Sequence, residues 1–139
     1  MQYKTNINII FSVFGSPFDP YDFTKSIDIA PTNLWIEGEF IPNNKMNKKR
    51  EESAWEYSIH SHTMFFEDVS EKIIAIFKNK IENINDYINK ADNLMIKFDV
   101  VLEIEEAQGV ALYFNRNFLN IVNKLNAEVD VDTYILRNE

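Results

Sequence analysis

The chain has 139 residues, of which 45% are hydrophobic, and its 22 acidic and 14 basic residues give a net charge of −8. This size fits a single domain, residues 1–139, with a core large enough to fold without a metal or cross-links. The absence of cysteine excludes disulfides, thiolate metal sites and thiol nucleophiles, and the negative charge disfavours binding to nucleic acid or to an anionic membrane.

The first predicted element is a largely buried strand from Thr5 to Phe14. Asn6 and Asn8 interrupt its apolar stretch, which favours a strand over a secretory signal peptide. No run in the sequence approaches the ~20 apolar residues that span a bilayer. We therefore expect a cytoplasmic protein.

A short helix is predicted next. Asp19 is suited to cap its free N–H groups, and Pro20 fits the first helical position. Phe18 and Phe23 occupy the two positions of a hydrophobic staple. Pro31 must end the helix, because proline cannot continue it.

Two alternating segments, 34–41 and 53–60, predict a hairpin around a polar loop. Residues 45–50 of that loop carry four basic side chains, which could grip a phosphate or an acidic partner. The loop lacks the glycine-rich backbone of a phosphate cradle, so a solvated, mobile tip is the simpler interpretation.

A long helix is predicted after Asp68 or Ser70, either of which could cap it. Its apolar stripe continues over about five turns at three- and four-residue steps: Val69, Ile73, Phe77, Ile81, Ile84 and Ile88. The longest strand, 95–106, follows, and a turn leads into a short strand at 110–114. Asn115 or Asn117 then caps a third helix.

The last strand, 127–136, has a period of two, with acidic residues at alternate positions from 128 to 132. Val129, Val131, Thr133 and Ile135 are predicted to lie on one face, and Glu128, Asp130, Asp132 and Tyr134 on the other. In strand 95–106 the even-numbered residues Ile96 to Ile104 are predicted to face inward, and Lys97 points outward with the acidic residues. The outward carboxylates of the two strands form a candidate partner-binding surface, here called the acidic face: Asp99, Glu103, Glu105, Glu128, Asp130 and Asp132. Such charges also keep a sheet soluble and protect its edges, and that interpretation stays open.

These elements predict an α+β fold, with a mainly antiparallel sheet of five to six strands and three helices packed on one face. The other face of the sheet is expected to contact water.

Other candidate sites are weaker. His60 and His62 would point the same way on a strand, but a metal site needs a third ligand, such as Glu67 or Asp68. Trp35, Trp55 and Tyr57 could stack a sugar or base, although aromatic residues at strand spacing are more often core. The carboxylates lie at solvent-facing positions, and no serine has the context of a nucleophile. We expect neither an enzyme nor a bound metal or cofactor, and a small hydrolase stays the third alternative.

Five short motifs, in this order, resemble one bacterial family, that of domain of unknown function 4279. They are Phe18-Asp19-Pro20, Ile29-Ala30-Pro31-Thr32, Glu37-Gly38-Glu39, Ser53-Ala54-Trp55 and Val129-Asp130-Val131-Asp132-Thr133-Tyr134. The resemblance spans nearly the whole chain and implies no catalytic residues. Families of this kind resemble immunity proteins, which protect a cell by binding a toxin domain.

The leading hypothesis is therefore a non-catalytic intracellular immunity protein, a monomer or weak dimer, whose acidic face binds a basic toxin domain such as a nuclease. The alternative is a regulatory module that binds a small molecule in a pocket near Trp55.

Overall fold

The computed structural model describes residues 4–137, which contain five strands and four helices. In chain order the elements are β1 (Asn6–Gly15), α1 (Pro20–Ile27), β2 (Asn33–Trp35), β3 (Ser53–Ser61), α2 (Glu67–Phe77), α3 (Ile81–Lys90), β4 (Met95–Glu105), α4 (Arg116–Lys124) and β5 (Glu128–Leu136). The strands form one sheet in the order β2-β3-β1-β4-β5. The predicted α+β class is confirmed.

The sheet is mixed. β1 lies at its centre and pairs antiparallel with β3 and β4, and β2 pairs antiparallel with β3. β5 pairs parallel with β4, and α4 forms the crossover between them. The predicted, mainly antiparallel sheet is therefore roughly right, but it ends in one parallel pair.

All four helices contribute to one core on a single face of the sheet. Phe11 is at the centre of this core, with ring centroids 4.3 Å from Phe77, 5.2 Å from Phe98 and 6.0 Å from Trp55. The predicted inward residues of β4 are buried from Ile96 to Leu102, and Ile104 is half-buried. Within residues 4–137 this packing leaves the opposite face of the sheet, here called the open face, without a helix.

The start of α1 is as predicted. The Asp19 carboxylate accepts hydrogen bonds from the backbone N–H groups of Tyr21 and Asp22, and Phe18 packs on Phe23 with centroids 5.9 Å apart. The helix ends at Ile27, before Pro31, because Asp28 adopts a left-handed conformation with φ 56°.

The predicted long helix is wrong, because the structure divides it into α2 and α3. Residues 4–137 therefore contain four helices where the pattern predicted three. The helical hydrogen bonding is interrupted at Lys80, whose N–H bonds to Phe77 O at 2.9 Å. α2 starts after Phe66 without a side-chain cap, so neither Asp68 nor Ser70 caps it. The break allows α2 to pack on α4 while α3 packs on α1, which one straight helix could not do.

Two predicted strands are shorter than their patterns. Segment 34–41 pairs regularly only over β2, and segment 110–114 is reduced to a single bridge between Ala111 and Phe65. The basic loop is nevertheless held by backbone hydrogen bonds, including Arg50 N–H to Glu39 O at 2.7 Å. The Arg50 guanidinium stacks 3.9 Å from the Trp35 ring, so this aromatic face is already covered. Among residues 4–137 there is no helix of the length and apolarity needed to cross a membrane.

Candidate functional site

The parallel pairing of β4 and β5 brings the six carboxylates of the acidic face to one side of the sheet. Asp99 is the register partner of Asp130, and Asp132 lies opposite Val101. Glu128 lies opposite Lys97, and Glu103 and Glu105 lie opposite Tyr134 and Leu136. Because alternate residues of a strand point to the same face, all six acids project from the open face.

Lys97 lies among these carboxylates. Its Nζ atom is 3.1 Å from Asp130 Oδ2 and 3.5 Å from Asp99 Oδ1. The hydrogen bond to Asp130 raises the pKa of Lys97, so its positive charge persists. One ammonium therefore offsets part of a six-carboxylate surface and leaves it strongly negative.

Burial raises the pKa of Asp99, whose side chain is only 25% exposed, and the charges of Asp130 and Asp132 raise it further. Lys97 acts in the opposite direction. The acidic face thus holds a partly buried carboxylate whose charge the surroundings disfavour. A cation from a partner would relieve that repulsion.

Glu56 on β3 extends the negative potential across the open face. Burial raises its pKa, the hydrogen bond from Asn33 lowers it, and the charge of Asp99 raises it. Asn6, Asn8, Ile10 and Ser12 of β1 lie between the two acidic regions. The open face therefore has an uncharged central strip bordered by negative charge, with its greatest density on β4 and β5.

The histidines do not form a site with neighbouring acids. The ring centroids of His60 and His62 are 6.1 Å apart, and His60 Nδ1 lies 3.0 Å from Asn6 Oδ1. In the part of the chain from 4 to 137, no group of three or more His, Asp or Glu side chains is arranged to hold a metal ion.

The alternative hypothesis placed a small-molecule pocket near Trp55. Trp55 is completely buried, and its indole N–H donates to Thr24 Oγ1 at 3.0 Å. Tyr57 packs edge-on against Phe77. Trp55 is therefore a core residue, and Tyr57 is partly buried and packs against the core.

A cavity of about 640 Å³ lies instead between α1 and α3. Phe18, Leu94, Asp22 and Lys90 are among its lining residues. The Tyr87 hydroxyl donates to Asp22 Oδ2 at 3.1 Å, and burial, followed by this contact, raises the pKa of Tyr87 to about 12. The cavity thus combines apolar walls with the carboxylates of Asp19 and Asp22, one phenol and one ammonium.

Sequence reasoning identified the acids and placed Lys97 on the same side, but it missed the contact of Lys97 with Asp130, the position of Glu56 and the cavity at Tyr87. The contact of Lys97 on β4 with Asp130 on β5 depends on the register of these two strands, which cannot be read from the sequence. The outward position of Glu56 could have been found from the alternation of Trp55, Tyr57 and Ile59 on the same strand. The cavity at Tyr87 has no local signal, because it arises from the contact of two helices distant in sequence.

Comparison with known proteins gives one result. Residues 4–136 match the family described as domain of unknown function (DUF4279). Neither the curated proteins nor the solved structures contain a match to this chain. The family match covers nearly the whole chain, and its span includes every element of the fold from β1 to β5. The chain belongs to the DUF4279 family.

Proposed function

We propose that this chain is a non-catalytic cytoplasmic binding protein of the immunity type, which neutralises a toxin domain by direct contact through its acidic face. The observation that carries the proposal is the alignment of six carboxylates on β4 and β5 with Lys97 among them. A surface of this charge speeds encounter with a basic partner and fixes its orientation.

The geometry of the acidic face suits binding better than catalysis. Glu128, Asp130 and Asp132 are exposed on the outermost strand of the described sheet. A catalytic carboxylate works in a concave, water-poor site that adjusts its pKa. An open row of acids on a pleated surface instead offers several contacts to the lysine and arginine side chains of a large partner.

A growth assay tests this function. Each protein encoded beside the gene of this chain is expressed in a bacterial host, alone and together with the chain. We expect one of these products to arrest growth alone, and we expect the chain to restore growth. If every neighbouring product is harmless, or if the chain restores no growth, the proposal is wrong.

Charge-reversed variants test whether protection in the growth assay depends on the acidic face. Asp130→Lys/Asp132→Lys should lose protection, because two attractive contacts become repulsive. The matched control is Asp86→Lys/Asp92→Lys, which changes the net charge equally at two exposed positions outside the sheet. Equal protection by the two variants would contradict the role of this face.

A second candidate is the binding of a small molecule in the cavity between α1 and α3. Its volume of about 640 Å³ lies within the range of small-molecule sites, about 300–1,000 Å³. A thermal-shift screen with amino acids, polyamines and nucleotides tests this, because a ligand that binds the folded state raises the melting temperature. Ser26→Trp, which would place a bulky ring at the lining of the cavity and obstruct part of it, should reduce any shift, and a flat response from the whole panel removes this candidate.

A further inference from the structure

β5 is an edge strand that retains the capacity to pair. Within residues 4–137 it has a single neighbour, β4. The Leu136 C=O accepts from Glu106 N–H at 3.0 Å, so the amide groups of even-numbered residues in β5 point towards β4. The amide groups of Val129, Val131, Thr133 and Ile135 therefore point to the free edge.

The side chains of this edge are suited to a second strand. Val131 and Ile135, on the helix side, are 37% and 52% exposed, and Tyr134 on the open face is 58% exposed. An exposed strand of nine residues with apolar side chains is a template for strand addition unless charge or proline prevents it. The charged residues of β5 are all acidic and all lie on the open face. They therefore favour an added strand with basic side chains and do not prevent strand addition as such.

A second copy of the chain is a poor occupant. Antiparallel pairing of β5 with itself over its full length would place Asp132 opposite Asp132 of the other copy. Like charges directly opposite each other destabilise a strand pair. Two molecules that each carry a charge of −8 also repel one another as wholes.

We infer that β5 binds its partner by strand addition, and that the added segment is extended, with basic side chains alternating with apolar ones. Its basic side chains would lie beside Glu128, Asp130 and Asp132, and its apolar side chains would cover Val131 and Ile135. Backbone hydrogen bonds to the four edge-facing residues would supply much of the affinity, and alternate side chains the specificity. This inference rests on the proposed function and specifies how its acidic face makes contact.

A synthetic peptide tests it. The probe is Lys-Val-Lys-Thr-Lys-Val-Lys-Thr-Lys, which matches the nine residues of β5 in length. Amide hydrogen exchange of the intact chain is followed by NMR. We expect added protection at Val129, Val131, Thr133 and Ile135, and no added protection from a peptide in which glutamate replaces lysine or from one N-methylated at alternate residues.

Two variants at Thr133 distinguish binding of the peptide through backbone hydrogen bonds from binding through side chains alone. Thr133→Pro removes an edge-facing N–H without touching a hydrogen bond to β4, because proline is tolerated at such edge positions. It should weaken peptide binding about tenfold, whereas Thr133→Val, which keeps the N–H, should not. Unchanged β4 amide exchange shows that each variant is folded.

The outcomes distinguish this inference from the proposed function. If the peptide changes the NMR signals of the acidic side chains but does not slow amide exchange at the edge of β5, strand addition is wrong. The acidic face would then still be a binding surface. Absence of binding by the basic peptide would overturn strand addition, while the growth assay still decides the function. Protection that rises with protein concentration, without peptide, would show that a second copy covers the edge and would also overturn the inference.

Discussion

Asp99 and Asp130 are register partners on adjacent parallel strands, so their carboxylates project side by side from the same face of the sheet. Asp130 is 51% exposed, whereas Asp99 is half as exposed and has a raised pKa. Lys97 lies between the two carboxylates of this pair. Burial and repulsion disfavour the negative charge of Asp99. A partner cation would relieve the repulsion, which is why we place the contact here.

Asp99→Asn should stabilise the chain at neutral pH. The folded-state pKa of Asp99 lies above its ordinary value, so between the two values the folded state binds more protons than the unfolded state. Stability from this group is therefore present at low pH and is lost as the pH rises through the raised pKa. Removal of the charge should add a few tenths to about 1 kcal/mol, the usual size of a cross-strand pair.

Thermal unfolding of both proteins over a range of pH checks this. The difference in melting temperature should be largest at neutral pH and should disappear at acidic pH, where Asp99 is protonated in both states. Asp86→Asn, on the exposed side of α3, is the control for the loss of one negative charge at an exposed position. A lower melting temperature for Asp99→Asn at neutral pH would mean that its contact with Lys97 outweighs its burial.

Thr24→Val should destabilise the core by about 1–3 kcal/mol, the cost of a buried polar group without a partner. The Trp55 indole N–H donates to Thr24 Oγ1 and, at zero exposure, has no access to water. Valine keeps the shape of threonine but removes this acceptor. Thr24→Ser keeps the acceptor and should lose much less stability in urea unfolding. Equal losses for the two variants would assign the effect to packing.

Gly15→Ala should destabilise the junction between β1 and the segment before β4. A Cβ atom at this position would clash with Asn93 O and would lie 2.8 Å from Leu94 Cδ2. Because one of these atoms belongs to the backbone, relief requires the chain to move, and overpacking of this kind costs about 1–3 kcal/mol. Gly109→Ala is the matched control, since no atom lies within 4 Å of its added Cβ. If the denaturant midpoints of Gly15→Ala and Gly109→Ala fall equally, the contact of the added Cβ with Asn93 and Leu94 is not the cause of the lost stability.

The sequence predicted best those features that depend on local chemistry. The Phe18, Asp19 and Pro20 motif specifies a capped and stapled helix start through neighbouring residues alone. The period-two patterns of β4 and β5 assign each side chain to a face without reference to any partner strand. The six residues of the acidic face were therefore correctly assigned to one side of their strands.

Features set by distant contacts were predicted less well. The stripe from Val69 to Ile88 continues through the break at Lys80, and no glycine or proline marks the change from α2 to α3. The alternation of apolar and polar residues in a strand indicates which face is buried, but it does not indicate which strand is the neighbour in the sheet. The order β4, α4, β5 does favour a parallel pair, because a helix crossover returns the chain to the same end of the sheet. That signal was available and would have corrected the topology.

The most direct test of the central claim is the rate at which this chain associates with the toxin domain identified by the growth assay. Stopped-flow measurements over a range of salt concentrations would compare the original chain with Asp130→Asn/Asp132→Asn and with the control Asp86→Asn/Asp92→Asn. We predict fast association that slows steeply with salt for the original chain and for the control, and a rate at least about tenfold lower at low salt, with a shallower salt dependence, for the acidic-face variant. Indistinguishable rates and salt dependences for all three proteins would contradict the claim that this face binds the partner.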